Sequence, residues 1–259
     1  VTILAALSAL AAGLSPGMQP TTPSPAADVQ PSTKNAAAEP TPRTDEWWTK
    51  RNETFNARAR QGAEKGDVGV VFLGDSITQG WEQNGQQVWK DRYTSRNAVN
   101  FGIGGDRTQH LLWRIKNGNL DALSSPKAGA APKLAIILIG TNNCNGTDHT
   151  AAEVAQGVSA IVAAVREKLP ATKVLLMGIF PRGERPSPIR EKIAEINTKI
   201  AALHDGSAVF YKDISSVFLD DQGTISKEIM PDALHLSARG YQLWADAIEP
   251  DVRDLLGGS

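Results

Sequence analysis

Val68-Gly69-Val70-Val71-Phe72-Leu73-Gly74-Asp75-Ser76 begins as a short β-branched run and is stopped by glycine, the pattern of a buried strand. The pattern recurs along the chain. Ala98 to Phe101 is a weaker run ended by Gly102, and Leu134 to Ile139, ended by Gly140, is the strongest. Lys173 to Phe180 and Ala208 to Tyr211 complete a set of five. Helical spacing fills the intervals. Thr150 and Glu153 form a capping box ahead of apolar Val154, Val158, Ile161, Val165 and Leu169. Ser187 and Pro188 suit the start of a helix whose apolar face is Ile189, Ile193, Ile196, Ile200 and Leu203. A last helix is expected after Ser237, carrying Tyr241, Trp244 and Ile248 inward. Such alternation predicts βαβ units and a parallel sheet covered on both faces, an α/β domain. Chemistry in these folds sits at the carboxyl ends of the strands.

Composition narrows the function. The 259 residues carry 27 basic and 28 acidic side chains, leaving a net charge of −1 and no basic stripe for nucleic acid or a membrane surface. No apolar run is long enough for a membrane span. One cysteine, Cys144, excludes an internal disulfide and a Cys-rich metal site, and four histidines without acidic clusters argue against any metal. Cys144 has no basic partner nearby and reads as a packed thiol.

Residues 1–14 are uncharged and mostly apolar, with Ala9-Leu10-Ala11 fitting a small-x-small cleavage site, so this segment resembles a secretory signal. Residues 15–44 hold seven of the fifteen prolines and no aromatic residue, the composition of a flexible linker that joins no core. The folded domain is expected over 45–259, secreted or periplasmic.

Four strand-end or loop features could carry chemistry. Gly74-Asp75-Ser76 leaves a serine after a strand, beside free backbone N–H groups; a simple N-cap is the alternative. Gly102-Ile103-Gly104-Gly105-Asp106 permits close backbone approach to a ligand but lacks the spacing of a dinucleotide fingerprint. Gly140-Thr141-Asn142-Asn143 either closes a turn or aims a neutral amide at a developing oxyanion. Asp232-Ala233-Leu234-His235 lets a carboxylate hold one imidazole nitrogen and leave the other as a base, or is a surface pair. Of the remaining histidines, His110 reads as partly buried and structural, and His149 and His204 as solvated.

In this order the four features resemble the blocks of SGNH hydrolases, the GDSL esterase family. Val99 to His110, Leu112-Trp113-Arg114, Pro181-Arg182-Gly183, Arg190-Glu191-Lys192, Asp221 to Ser226 and Leu234-His235-Leu236-Ser237 further resemble the catalytic subunits of intracellular platelet-activating factor acetylhydrolases. The resemblance covers about residues 68–250. It implies a flavodoxin-like three-layer α/β/α sandwich with a five-stranded parallel sheet. It implies Ser76 as nucleophile, His235 as base and Asp232 as its orienting partner. The oxyanion donors would be the N–H groups of Ser76 and Gly105 and the amide of Asn142, with Asp75 structural and no cofactor or metal. The signal-like segment is foreign to those intracellular subunits, so their phospholipid does not transfer.

The expected activity is an exported serine esterase removing a short acyl group, acetyl above all, from a small-molecule or carbohydrate ester. Ile77, Thr141 and Leu234, adjoining the catalytic residues, are expected to wall the acyl pocket. The alternatives are a lysophospholipase or thioesterase with a longer acyl groove and a non-catalytic glycan-binding relative. A homodimer is neither required nor excluded by the sequence.

Overall fold

The five apolar runs become β1 (Val70–Gly74), β2 (Ala98–Gly102), β3 (Leu134–Leu138), β4 (Lys173–Met177) and β5 (Val209–Lys212). All pair in parallel, in the order β2-β1-β3-β4-β5, which is the flavodoxin-like arrangement with its switch point at β1/β3. The computed structural model describes residues 34–124 and 131–257, with Val1 and Thr2, and residues 34–259 form one compact unit. The rest of the signal-like segment and the linker up to residue 33 lie outside the described residues.

Strand alternation divides the core in two. Val71, Leu73, Ala135 and Ile137 face one layer, where they meet Phe55 of α1 (Glu46–Lys65), Leu111 of α4 (Thr108–Arg114), Val158 of α5 (Ala151–Lys168) and Ile196 of α6 (Pro188–Ala201). Val70, Phe72, Leu134 and Ile136 face the other, against Ile77 of α2 (Ser76–Gln79), Val88 of α3 (Gln86–Arg92) and Trp244 of α7 (Ala238–Leu256). Among the described residues no helix is long and apolar enough to cross a membrane.

Local signals act as the spacing predicts, with two differences. The Thr150 hydroxyl accepts the Glu153 N–H at 3.2 Å and the Glu153 carboxylate accepts the Thr150 N–H at 2.7 Å. Ser187 opens α6, but its carbonyl rather than its hydroxyl takes the Arg190 N–H, at 2.9 Å. β4 ends three residues before the expected Phe180, because the Asn197 side chain bonds both the N–H and the carbonyl of Ile179 and replaces the ladder there.

The linker expected over 15–44 needs a correction from residue 34 onward. Residues 36–38 form a 3-10 turn against α5 in which Ala37 is fully buried. Its carbonyl accepts the buried Thr108 hydroxyl at 2.7 Å, and the Asn35 amide donates to the Glu153 carbonyl at 3.0 Å. Gly157 makes the approach possible: a Cβ there would stand 2.5 Å from the Ala37 oxygen. Small residues dock here through their main chain.

Candidate active site

Ser76 is the first residue of α2, directly beyond β1. Asp75 caps that helix by accepting the Ile77 N–H at 3.0 Å, and the Tyr241 hydroxyl donates to the Ile77 carbonyl at 2.7 Å, tying α2 to α7. Burial pushes the Asp75 carboxyl up to about 7, against the stabilising Ile77 N–H.

His235 arrives from the far end of the chain. Its Nε2 stands 3.0 Å from Ser76 Oγ, and its Nδ1 stands 2.7 Å from Asp232 Oδ2. The loop folds back because Ala233 adopts a left-handed φ of 57°, which lets Asp232 Oδ1 accept the N–H groups of Leu234 and His235 at 3.1 and 2.7 Å. Desolvation would raise the Asp232 carboxyl, but the bonds from His235 outweigh it and hold the group below its ordinary value. With an ionised carboxylate accepting from Nδ1–H, Nε2 is the acceptor for the serine hydroxyl.

The other expected donors gather at the ends of the neighbouring strands. The glycine turn after β2 lies beside the serine, since a Cβ on Gly104 would be 3.8 Å from Ser76 Cβ. Gly105 has a φ of +76°, and its N–H has no hydrogen-bond partner among the described residues. The Asn142 amide, after β3, donates to the Asp106 carbonyl at 2.9 Å and so is tied to the same turn. Ser76 opens α2, so its N–H has no carbonyl one turn earlier to bond.

Ile77, Thr141 and Leu234, expected to wall an acyl pocket, do not border the cavity beside Ser76. Ser76 and His235 open on this cavity, of about 400 Å³, between Trp47, Gln79, Gly104 and Leu236. Ile77 is 2% exposed and packs in the core layer beneath the site. Thr141 is buried near Arg182, and Leu234 packs against the same core layer as Ile77. His149, expected in solvent, is buried as well. Cys144 is a packed thiol whose buried setting raises its pKa.

Sequence reasoning missed what holds the glycine turn. Asp106 is fully buried; it accepts the Trp48 indole N–H and the Arg114 guanidinium, each at 2.8 Å. Arg114, also fully buried, donates further to Asn119 at 2.6 Å. Asn143 accepts the Thr108 N–H at 2.9 Å and fastens the turn to the loop after β3. The available signal was an aspartate closing the glycine turn, with an arginine two helical turns on. Among the described residues no cluster of His, Cys, Asp or Glu is arranged to hold a metal.

The profile of the family described as GDSL-like lipase/acylhydrolase matches residues 72–243. Platelet-activating factor acetylhydrolase IB subunit alpha1 of Homo sapiens is 38% identical over 209 residues, 80% of this chain and 85% of that protein. Subunit alpha2 of Rattus norvegicus is 36% identical over 215 residues, 83% of this chain and 86% of that protein. A solved structure described as a platelet activating factor of Streptococcus pneumoniae is 30% identical, with a TM-score of 0.61 over 80% of this chain and 94% of that one. The chain belongs to the GDSL-like lipase/acylhydrolase family and is a carboxylic ester hydrolase.

Proposed function

We propose that the protein is a serine esterase that removes a short acyl group, acetyl above all, through an acyl-enzyme. The observation that carries this reading is the relay from Ser76 Oγ to His235 Nε2 at 3.0 Å and from Nδ1 to Asp232 at 2.7 Å. His235 takes the serine proton as Oγ attacks the ester carbonyl. The oxyanion is held by the N–H groups of Ser76 and Gly105 and the Asn142 amide. The alcohol leaves with the proton from His235. Water, deprotonated by the same nitrogen, then releases the acid. The acetyl preference is supported by the acetylhydrolase relatives. Export is supported by the apolar run of residues 1–14 ahead of a proline-rich stretch.

The test is hydrolysis of p-nitrophenyl acetate, butyrate and octanoate, alongside labelling by a fluorophosphonate probe. Ser76→Ala should abolish labelling and lower kcat by about 10⁴-fold or more. A folded Ser76→Ala protein with near-wild-type turnover ends the reading. Octanoate turned over as well as acetate would replace the short-acyl assignment with a longer groove.

A further inference from the structure

Trp47 is 47% exposed and is the one large hydrophobic residue besides Val1 left in solvent among the described residues. A single exposed aromatic is ordinary, but at the mouth of a cavity an indole offers an apolar face that a bound ligand can cover. This one borders the cavity on which Ser76 and His235 open. It is also held still: the Arg43 guanidinium lies over its ring, 5.1 Å from the centroid. Arg43 is itself anchored, donating to the Gly104 carbonyl at 2.7 Å and to Asp45 at 2.9 Å, with Asp106 at 3.6 Å.

The rest of the rim is neutral and amide-rich. Gln79 uses its oxygen to accept the Gly104 N–H at 2.7 Å, which leaves its NH₂ as a donor. Asn84 uses its NH₂ on the Leu236 carbonyl at 3.0 Å, which leaves its oxygen as an acceptor. Gln83 completes the set. Among the described residues no lysine or arginine lines the cavity, and the charge of Arg43 is already met by carboxylates. A phosphodiester would find no free cation here. Hydroxyl groups, which both donate and accept, match a rim offering both.

We propose that Trp47, fixed by Arg43, is the platform for the alcohol part of the substrate, and that this alcohol is a neutral polyhydroxylated ring, as in an acetylated sugar. The C–H face of the ring would stack on the indole and its hydroxyls would meet Gln79, Gln83 and Asn84. The inference rests on the esterase reading above.

The experiment compares kcat/KM for per-acetylated xylose, ethyl acetate and a 2-acetyl glycerophosphocholine in wild type, Trp47→Ala and Trp47→Phe. The wild type should prefer the sugar acetate. Trp47→Ala should lower the ratio of sugar acetate to ethyl acetate at least tenfold, mainly through KM, and Trp47→Phe should restore most of it. An unchanged ratio overturns the proposal. So does an equal loss on both esters, which would make Trp47 a support for Arg43 and the glycine turn. A Trp47-dependent preference for the phosphocholine ester overturns the substrate class. Absence of wild-type activity on all three, and on p-nitrophenyl acetate, would instead defeat the esterase reading itself.

Discussion

Replacing Asp75 by asparagine should change how stability depends on pH. Asp75 is 1% exposed, and desolvation lifts its carboxyl from an ordinary 3.8 to about 7; the nearby Asp106 carboxylate adds to the rise, and the Ile77 N–H opposes it. Below pH 3.8 both folded and unfolded chains hold the proton, so the group contributes nothing. Between 3.8 and about 7 the unfolded chain releases it while the folded chain keeps it. The native state then loses about 1.4 kcal/mol per pH unit, a loss that levels off at about 4 kcal/mol above the folded pKa. Asparagine keeps an oxygen for the Ile77 N–H and has no charge to bury. The stability of Asp75→Asn relative to wild type should therefore rise by about 4 kcal/mol between pH 4 and pH 8. Urea denaturation of both proteins at pH 4, 6 and 8 reads the difference, in which titrations common to both cancel. A difference independent of pH would refute the reasoning.

Asn142→Ala should lower kcat on p-nitrophenyl acetate by about 10²–10³-fold with little change in KM; a selective rise in KM would assign Asn142 to substrate binding instead. Arg114→Met takes from buried Asp106 its 2.8 Å ion pair and leaves it the Trp48 N–H and the more distant Arg43, a cost of up to about 3–5 kcal/mol, or up to about 6–20 °C in Tm for a domain of this size. Adding Asp106→Asn should recover part of that loss, and a double variant no more stable than Arg114→Met would contradict the pairing. A chain starting at Asp45 should melt about 3–10 °C below one starting at Lys34, because the buried Thr108 hydroxyl loses its acceptor. Equal melting temperatures would mean that residues 34–44 add nothing to the fold.

The sheet was legible because a parallel strand covered on both faces must be largely apolar, and the runs of β1 to β4 stop at or near a glycine that lets the chain turn. α1 was not legible. Its buried face runs Trp48, Asn52, Phe55, Ala59 and Gly62, so the apolar stripe that marks a helix is interrupted by an asparagine and fades into small residues. Residues 34–44 were misread for a different reason. Composition registers apolar side chains, whereas this segment is held by hydrogen bonds: the Ala37 carbonyl on Thr108, the Thr41 N–H on Gln109, the Asn35 amide and the Arg43 guanidinium on the Gly104 carbonyl. A linker composition and a main-chain docking strap look alike until the receiving surface is known.

The proposed catalytic groups were legible for reasons that do not extend to the cavity. Ser76 follows a strand end and His235 carries its carboxylate partner three residues away, so each shows its chemistry locally. A pocket wall is not local in that sense. One residue along a helix is a rotation of about 100°, so Ile77, next to the serine in sequence, is turned away from it into the core. The residues that share a helical face with position 76 lie three, four and seven further on. Those are Gln79, Gly80 and Gln83, and all three line the cavity. The 3-10 turn at Gly80–Glu82 continues α2 closely enough to keep that face together. Read by helical face rather than by adjacency, the sequence after Gly74-Asp75-Ser76 describes a wall of glutamine amides and a glycine. The proposed sugar ester therefore rests on residues that the stop of the first strand places three, four and seven positions beyond the serine.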